Sequence, residues 1–127
     1  MWPDIELAVM KALRPRLPGV RVTDEVPAKV ETLLPVVVVQ LGPGADDLIS
    51  DTVTIDVQAF AVDRGAMWKL AEQAREAMLS LSGTYAGGLP VDTVDTESRP
   101  VEVPYGNPAL RRAVASYRLT TRGRTGA

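Results

Sequence analysis

Between residues 52 and 81 the hydrophobic pattern changes period once, and that change limits the folds open to this chain. The segment TVTIDVQAFAV runs directly into DRGAMWKLAEQAREAMLSL. In the first half Val53, Ile55, Val57, Ala59 and Ala61 alternate with Thr52, Thr54, Asp56 and Gln58, a spacing that predicts a half-buried strand. In the second half Met67, Leu70, Ala71, Ala74, Met78 and Leu81 recur at helical spacing and form one apolar stripe. Lys69, Glu72, Gln73, Arg75, Glu76 and Ser80 point away from it. Asp63 stands where a side-chain cap for that helix belongs. A long strand that feeds a long amphipathic helix across so short a turn must pack against it.

The flanking segments complete the pattern. Trp2 to Leu13 predicts a first helix, with Ile5, Ala8, Val9, Ala12 and Leu13 on one side. Pro3 suits its first turn, and Asp4 and Glu6 suit its positive end. Pro15 and Pro18 stop it, and Gly19 turns the chain into a short strand, Val20 to Thr23. Asp24 to Leu34 reads equally as a short helix or a loop. The run PVVVVQL, residues 35 to 41, lacks polar alternation and predicts a strand covered on both faces, central in the sheet. Asp46, Asp47, Ser50 and Asp51 read as a solvated loop. Gly83 suits a helix stop, with a loose loop expected around Gly87 and Gly88. Val91 to Val103 predicts one or two edge strands, because Pro100 and Pro104 disfavour a central place. Ala113 to Thr121 predicts the last strand, and residues 122 to 127 a frayed tail.

Two amphipathic helices are too few to cover both faces of a parallel sheet. The expected fold is therefore α+β: an antiparallel or mixed sheet with two main helices on one face. The 127 residues fit one domain, residues 1 to 127, of a size that buries its own core. No stretch approaches the roughly 20 apolar residues of a membrane helix, and no secretory signal precedes Asp4. Val36 to Val39, Val53, Ile55, Val57, Leu70, Ala74 and Met78 are expected to share one core.

Candidate chemistry is sparse. The chain has no cysteine and no histidine, which removes disulfides, thiolate nucleophiles, the usual zinc ligands and the side chain best matched to proton transfer near neutral pH. Asp46, Asp47 and Asp51 lack the spacing of a calcium loop, and Asp92, Asp95 and Glu97 fare no better. Gly42-Pro43-Gly44 is not followed by the Gly-Lys-Ser/Thr of a phosphate loop. No serine sits in a nucleophile elbow. Trp2 and Trp68 read as packing residues near helix starts. Arginines without stacking aromatics, in a chain of net charge −2, do not predict nucleic-acid recognition. The charge is uneven, however. Residues 1 to 102 carry nine basic and sixteen acidic side chains, for −7, whereas the chain from Val103 on carries five arginines and no acid, for +5. Such a split marks either a contact surface or arginines that answer acidic neighbours.

In this order of elements the chain resembles the tail terminator proteins of long-tailed phages, the lambda-like and actinobacterial siphophage group. The resemblance rests on PVVVVQLGPG with its acidic loop, TVTIDVQAFAVDR feeding AMWKLAEQAREAML, and SRPVEVPYGNP before RRAVASYRLTTRGR. It implies a virion structural protein made in the bacterial cytoplasm and placed at the tail–neck junction. Such a protein forms a ring, typically of six subunits, that caps the tail tube, stops its growth and joins the head. The implied partners are further copies of itself, the tail tube protein and the head–tail connector or neck proteins. No catalytic residue, metal or cofactor is implied. Another neck or head-completion protein is the neighbouring reading, and a small ligand-binding α+β domain or enzyme the rival. The residues expected at a subunit or tail interface are Arg111, Arg112 and Arg118, facing Asp46, Asp47 and Asp51 of a neighbour.

Overall fold

The computed structural model describes residues 4–42 and 52–121. The first helix, α1 (Ile5–Leu13), is capped by Asp4, whose carboxylate accepts the Leu7 N–H at 2.9 Å. Trp2 and Pro3 lie outside the described residues. A single 3₁₀ turn, Arg14–Arg16, follows, and Gly19 at φ +78° turns the chain into β1 (Arg21–Thr23). Asp24 to Pro35 is a loop with one 3₁₀ turn at Val30–Thr32. The strands β2 (Val36–Leu41) and β3 (Thr52–Ala61) lead to α2 (Arg64–Leu79), capped by Asp63 through the Ala66 N–H at 2.8 Å. Three further strands close the chain: β4 (Tyr85–Ala86), β5 (Leu89–Glu102) and β6 (Arg111–Thr121).

The strands form one six-stranded sheet in the order β1-β2-β3-β6-β5-β4. β1 runs parallel to β2 and all other pairs are antiparallel, so the sheet is mixed and the fold is α+β. Both helices pack on one face. That face collects Val37, Val39, Ile55, Val57 and Ala59 from β2 and β3, and Ala113, Ala115, Tyr117 and Leu119 from β6. The apolar stripes of the helices, Val9 and Leu13 on α1 and Met67, Leu70, Ala74 and Met78 on α2, close over it.

The shared core expected around the valine run divides into two. Alternate residues of a strand point to opposite faces, so Val37 and Val39 enter the helix-side core while Val36 and Val38 do not. They pack on the reverse face with Val30, Phe60 and Leu110, roofed by Val26, Leu33 and Leu34 of the loop before β2. All four valines are fully buried. The run is thus covered on both faces, as its composition requires, but by a loop on one side. β2 is an inner strand, second from the edge rather than central.

One other expectation is corrected, and the one or two edge strands expected over residues 91 to 103 resolve to one. Gly87 and Gly88 are a tight two-residue hairpin between β4 and β5, with Ala86 opposite Leu89 and φ of +55° and +87°. Such a turn needs positive φ at both central positions. Gly87 is also confined in space: a Cβ there would lie 2.9 Å from the Ala8 Cα of α1. The polar stretch after it is one strand of 14 residues, β5, paired with β6 through most of its length. Register shifts between Val91 and Thr93, Thr96 and Ser98, and Ser98 and Val101 mark three bulges. Beyond Val94 no described strand pairs with the outer edge of β5. The bulges, Pro100 and the charges of Glu97 and Arg99 blunt that edge against indiscriminate pairing.

Because Ile55 and Leu70 are fully or nearly fully buried in the helix-side core, Ile55→Ala or Leu70→Ala should cost about 2–5 kcal/mol in denaturant unfolding. A near-neutral result for both would contradict this packing.

Candidate assembly surface

The reverse face divides into a roofed upper part and an open lower part. Above, the turn between β5 and β6 folds down onto the sheet. Tyr105 meets Phe60 edge-on, with ring centroids 5.1 Å apart at 85°. Arg112 lies over the Tyr105 ring, 5.0 Å from its centroid. The same guanidinium donates to the carbonyls of Val103 (3.3 Å) and Pro104 (3.0 Å) and to Gln58 Oε1 (3.1 Å). Asn107 donates to Glu31 and so ties this turn to the loop before β2.

Below, the face presents polar side chains from three strands: Gln40, Thr54, Asp56, Gln58, Ser116 and Arg118. They bond to one another across the strands. Gln58 donates to Gln40 at 3.4 Å, and Ser116 donates to Asp56 Oδ1 at 2.7 Å. Such a half-exposed polar sheet suits contact with another flat surface.

The three arginines expected at an interface are not one cluster. All lie on β6, which begins at Arg111 rather than after it. Arg111 bonds Glu102 at 2.8 Å, and Arg118 bonds Glu97 Oε1 through Nε at 3.2 Å and Nη2 at 2.9 Å. Their side chains remain 53% and 54% exposed, so each pair can still meet a neighbour. Arg112 is engaged as described. Seven residues of strand, roughly 23 Å, separate Arg111 from Arg118, and the two point to opposite faces. Asp46, Asp47 and Asp51 lie outside the described residues. Glu97, Glu102, Gln58 and Tyr105 were not foreseen as partners. The Tyr-Gly-Asn-Pro turn signal was the clue: a hairpin there brings Glu102 and Glu97 beside the arginines of β6.

Tyr117 is the residue with the most perturbed chemistry. It is fully buried under α2, and its hydroxyl has no hydrogen-bond partner. Burial pushes its phenol from 10.0 up to about 12, while the Arg75 guanidinium opposes the rise and Glu72 adds to it. A phenol held neutral in an apolar setting serves packing, not proton transfer. Among the described residues no group of three or more acidic side chains is placed to hold a metal ion, and no helix is long and apolar enough to cross a membrane.

The fold is an α+β module whose prominent features, among the described residues, are faces and edges. The sequence profile of the phage tail termination protein family matches residues 1–89, more than two thirds of the chain. The chain belongs to this family and is a structural protein of a phage-type tail. The match spans α1 through β4 and ends at the first residue of β5. No curated protein sequence matches the chain. Among solved structures, a chain from the virion of a native gene transfer agent particle aligns at 18% identity with a TM-score of 0.47, covering 80% of this chain and 78% of that one.

Tyr117 also sets a pH dependence. Its folded-state pKa is raised, so its contribution to stability is complete below pH 10 and is lost as pH rises from 10 through about 12. Tyr117→Phe removes both the titration and an unpaired hydroxyl. The variant should match or exceed the parent by about 1 kcal/mol at neutral pH and lose less stability across that alkaline window. Parallel denaturation curves at pH 8 to 11 would show whether it does.

Proposed function

We propose that this protein caps the phage tail tube, ends its polymerisation and supplies the surface that joins the tail to the head. In this role it acts as a closed ring of identical subunits, six in number, seated on the last ring of the tube protein and against the neck proteins. It works by shape and contact, without catalysis. The observation that carries the reading is the tail termination match over residues 1–89. The open polar sheet face and the half-exposed ion pairs on β6 support it, since heterologous contacts between identical subunits close into rings when the rotation permits.

The decisive test is removal of the protein from assembling particles. Tails should then vary in length and fail to attach to heads. Uniform tails of normal length that still join heads would overturn the reading.

The arginines of β6 enter the same reading. We infer that Arg111, Arg112 and Arg118 also meet acidic groups of a neighbouring subunit or of the tail, with Asp46, Asp47 and Asp51 as the candidates. Exposed pairs contribute only about 0–1 kcal/mol each, so the effect is collective and salt-sensitive. Exchanging charges within the internal pairs (Arg111→Glu with Glu102→Arg, Arg118→Glu with Glu97→Arg) preserves them while inverting what a neighbour meets. Assembly should weaken, and more so at low salt, while the subunit stays folded. Unchanged assembly at both salt levels would show that these arginines are a solvated face.

A further inference from the structure

α2 and the bent middle of β5 leave a groove of about 430 Å³ between them. Trp68, Glu72 and Arg75 wall it from the helix, and Arg99, Pro100 and Val101 from the strand. Trp68, at 36% exposed, is a large apolar side chain turned outward here, beside Pro100. Two arginines face one glutamate, and Arg75 spends only one weak contact on it, 3.5 Å from Nη1 to Glu72. Its Nε is buried and finds no acceptor. The outer nitrogens of Arg75 and the Arg99 guanidinium, beside an exposed tryptophan, suit a carboxylate carried next to an aliphatic side chain.

The chain carries that combination elsewhere. At the start of α1 and the end of β2, Asp4 and Glu6 border Leu7 and Leu41, which are 39% and 44% exposed. Glu6 Oε2 accepts the Leu41 N–H at 2.8 Å and so holds the acid and the leucine together. The other lone pairs of both carboxylates stay available. In the sheet order, β3 and β6 stand between β2 and β5. The two patches therefore belong to different flanks of the subunit, one acidic and one basic, each with exposed apolar surface.

We propose that the groove between α2 and β5 receives the Glu6–Leu7–Leu41 patch of a second copy of this chain. The contact is head-to-tail, leaves a pair of subunits with one free patch of each kind, and propagates to a closed ring or an open chain. It rests on the assembly reading above and names the surfaces through which copies meet.

The absence of cysteine from the chain makes the test direct. Glu72→Cys and Leu41→Cys are placed in separate copies distinguished by a size tag, mixed at high concentration and on isolated tails, and oxidised. The mixed disulfide should exceed both same-variant dimers, and the double variant should give a ladder of linked subunits. Separately, Glu6→Arg should weaken self-association about tenfold, and adding Arg75→Glu and Arg99→Glu should restore it. Circular dichroism of each variant confirms the fold. No mixed disulfide in either setting, or a Glu6→Arg defect that the groove reversals deepen, would overturn the proposal. Length control of tails is scored independently. Capped tails without the cross-link would refute this interface and leave the function standing, whereas normal tails without the protein would refute the function itself.

Discussion

Everything in this molecule depends on a sheet that must be covered twice at one corner. Four consecutive valines cannot face one core, because a strand alternates its side chains. Val37 and Val39 draw the helices to one face. Val36 and Val38, with Phe60, oblige the chain to cover the other face as well. No helix remains for that task. The loop before β2 and the turn between β5 and β6 perform it instead, and the Phe60–Tyr105–Arg112 stack fastens the second of these. The reverse face is consequently roofed above and open below. The open part is a feature this covering arrangement leaves behind.

The two sides of the sheet differ in what they can do. The helix side is mainly apolar and buries even a tyrosine hydroxyl without a partner, which marks it as a packing core. The reverse side pairs its polar groups laterally, Asp56 with Ser116 and Gln58 with Gln40 and Arg112. Groups satisfied among themselves do not bind small ligands tightly. They form a surface wetted evenly, suitable for a large and reversible contact. This agrees with membership in a family of tail proteins.

Sequence reading succeeded where one period persisted. β3, α2, α1 and β6 were legible because their apolar residues keep step over nine residues or more, and Asp63 announced the start of α2 through its cap. It failed where the period was broken or the partner was remote. β5 reads as a weak, patchy segment because each bulge inserts a residue and exchanges inner for outer positions: Val91 and Val94 face the helices, whereas Val101 faces away. The Gly87–Gly88 turn was missed although two adjacent glycines suit a two-residue hairpin. The split of the valines between two cores was available from alternation alone, but the apolar cover for the second core came from Leu33, Leu34 and Leu110, whose segments carry no periodic signal. Of the interface residues, charge asymmetry pointed to the arginines of β6, but only the hairpin register reveals that two of them already hold glutamates.

The anchoring of the β5–β6 turn has one more consequence. Its ends are held by side chains: Tyr105 against a ring and a guanidinium and Asn107 bonded to Glu31 on one side, and Leu110 in the reverse-face core on the other. Pro108 and Ala109 between them are exposed and bury nothing. A chain fastened on both sides of a short exposed arc can lengthen there without disturbing the anchors, because added loop length costs little entropy. That arc is where relatives of this protein have room to diverge in length, and where a peptide tag or small domain can be grafted while the sheet keeps its register.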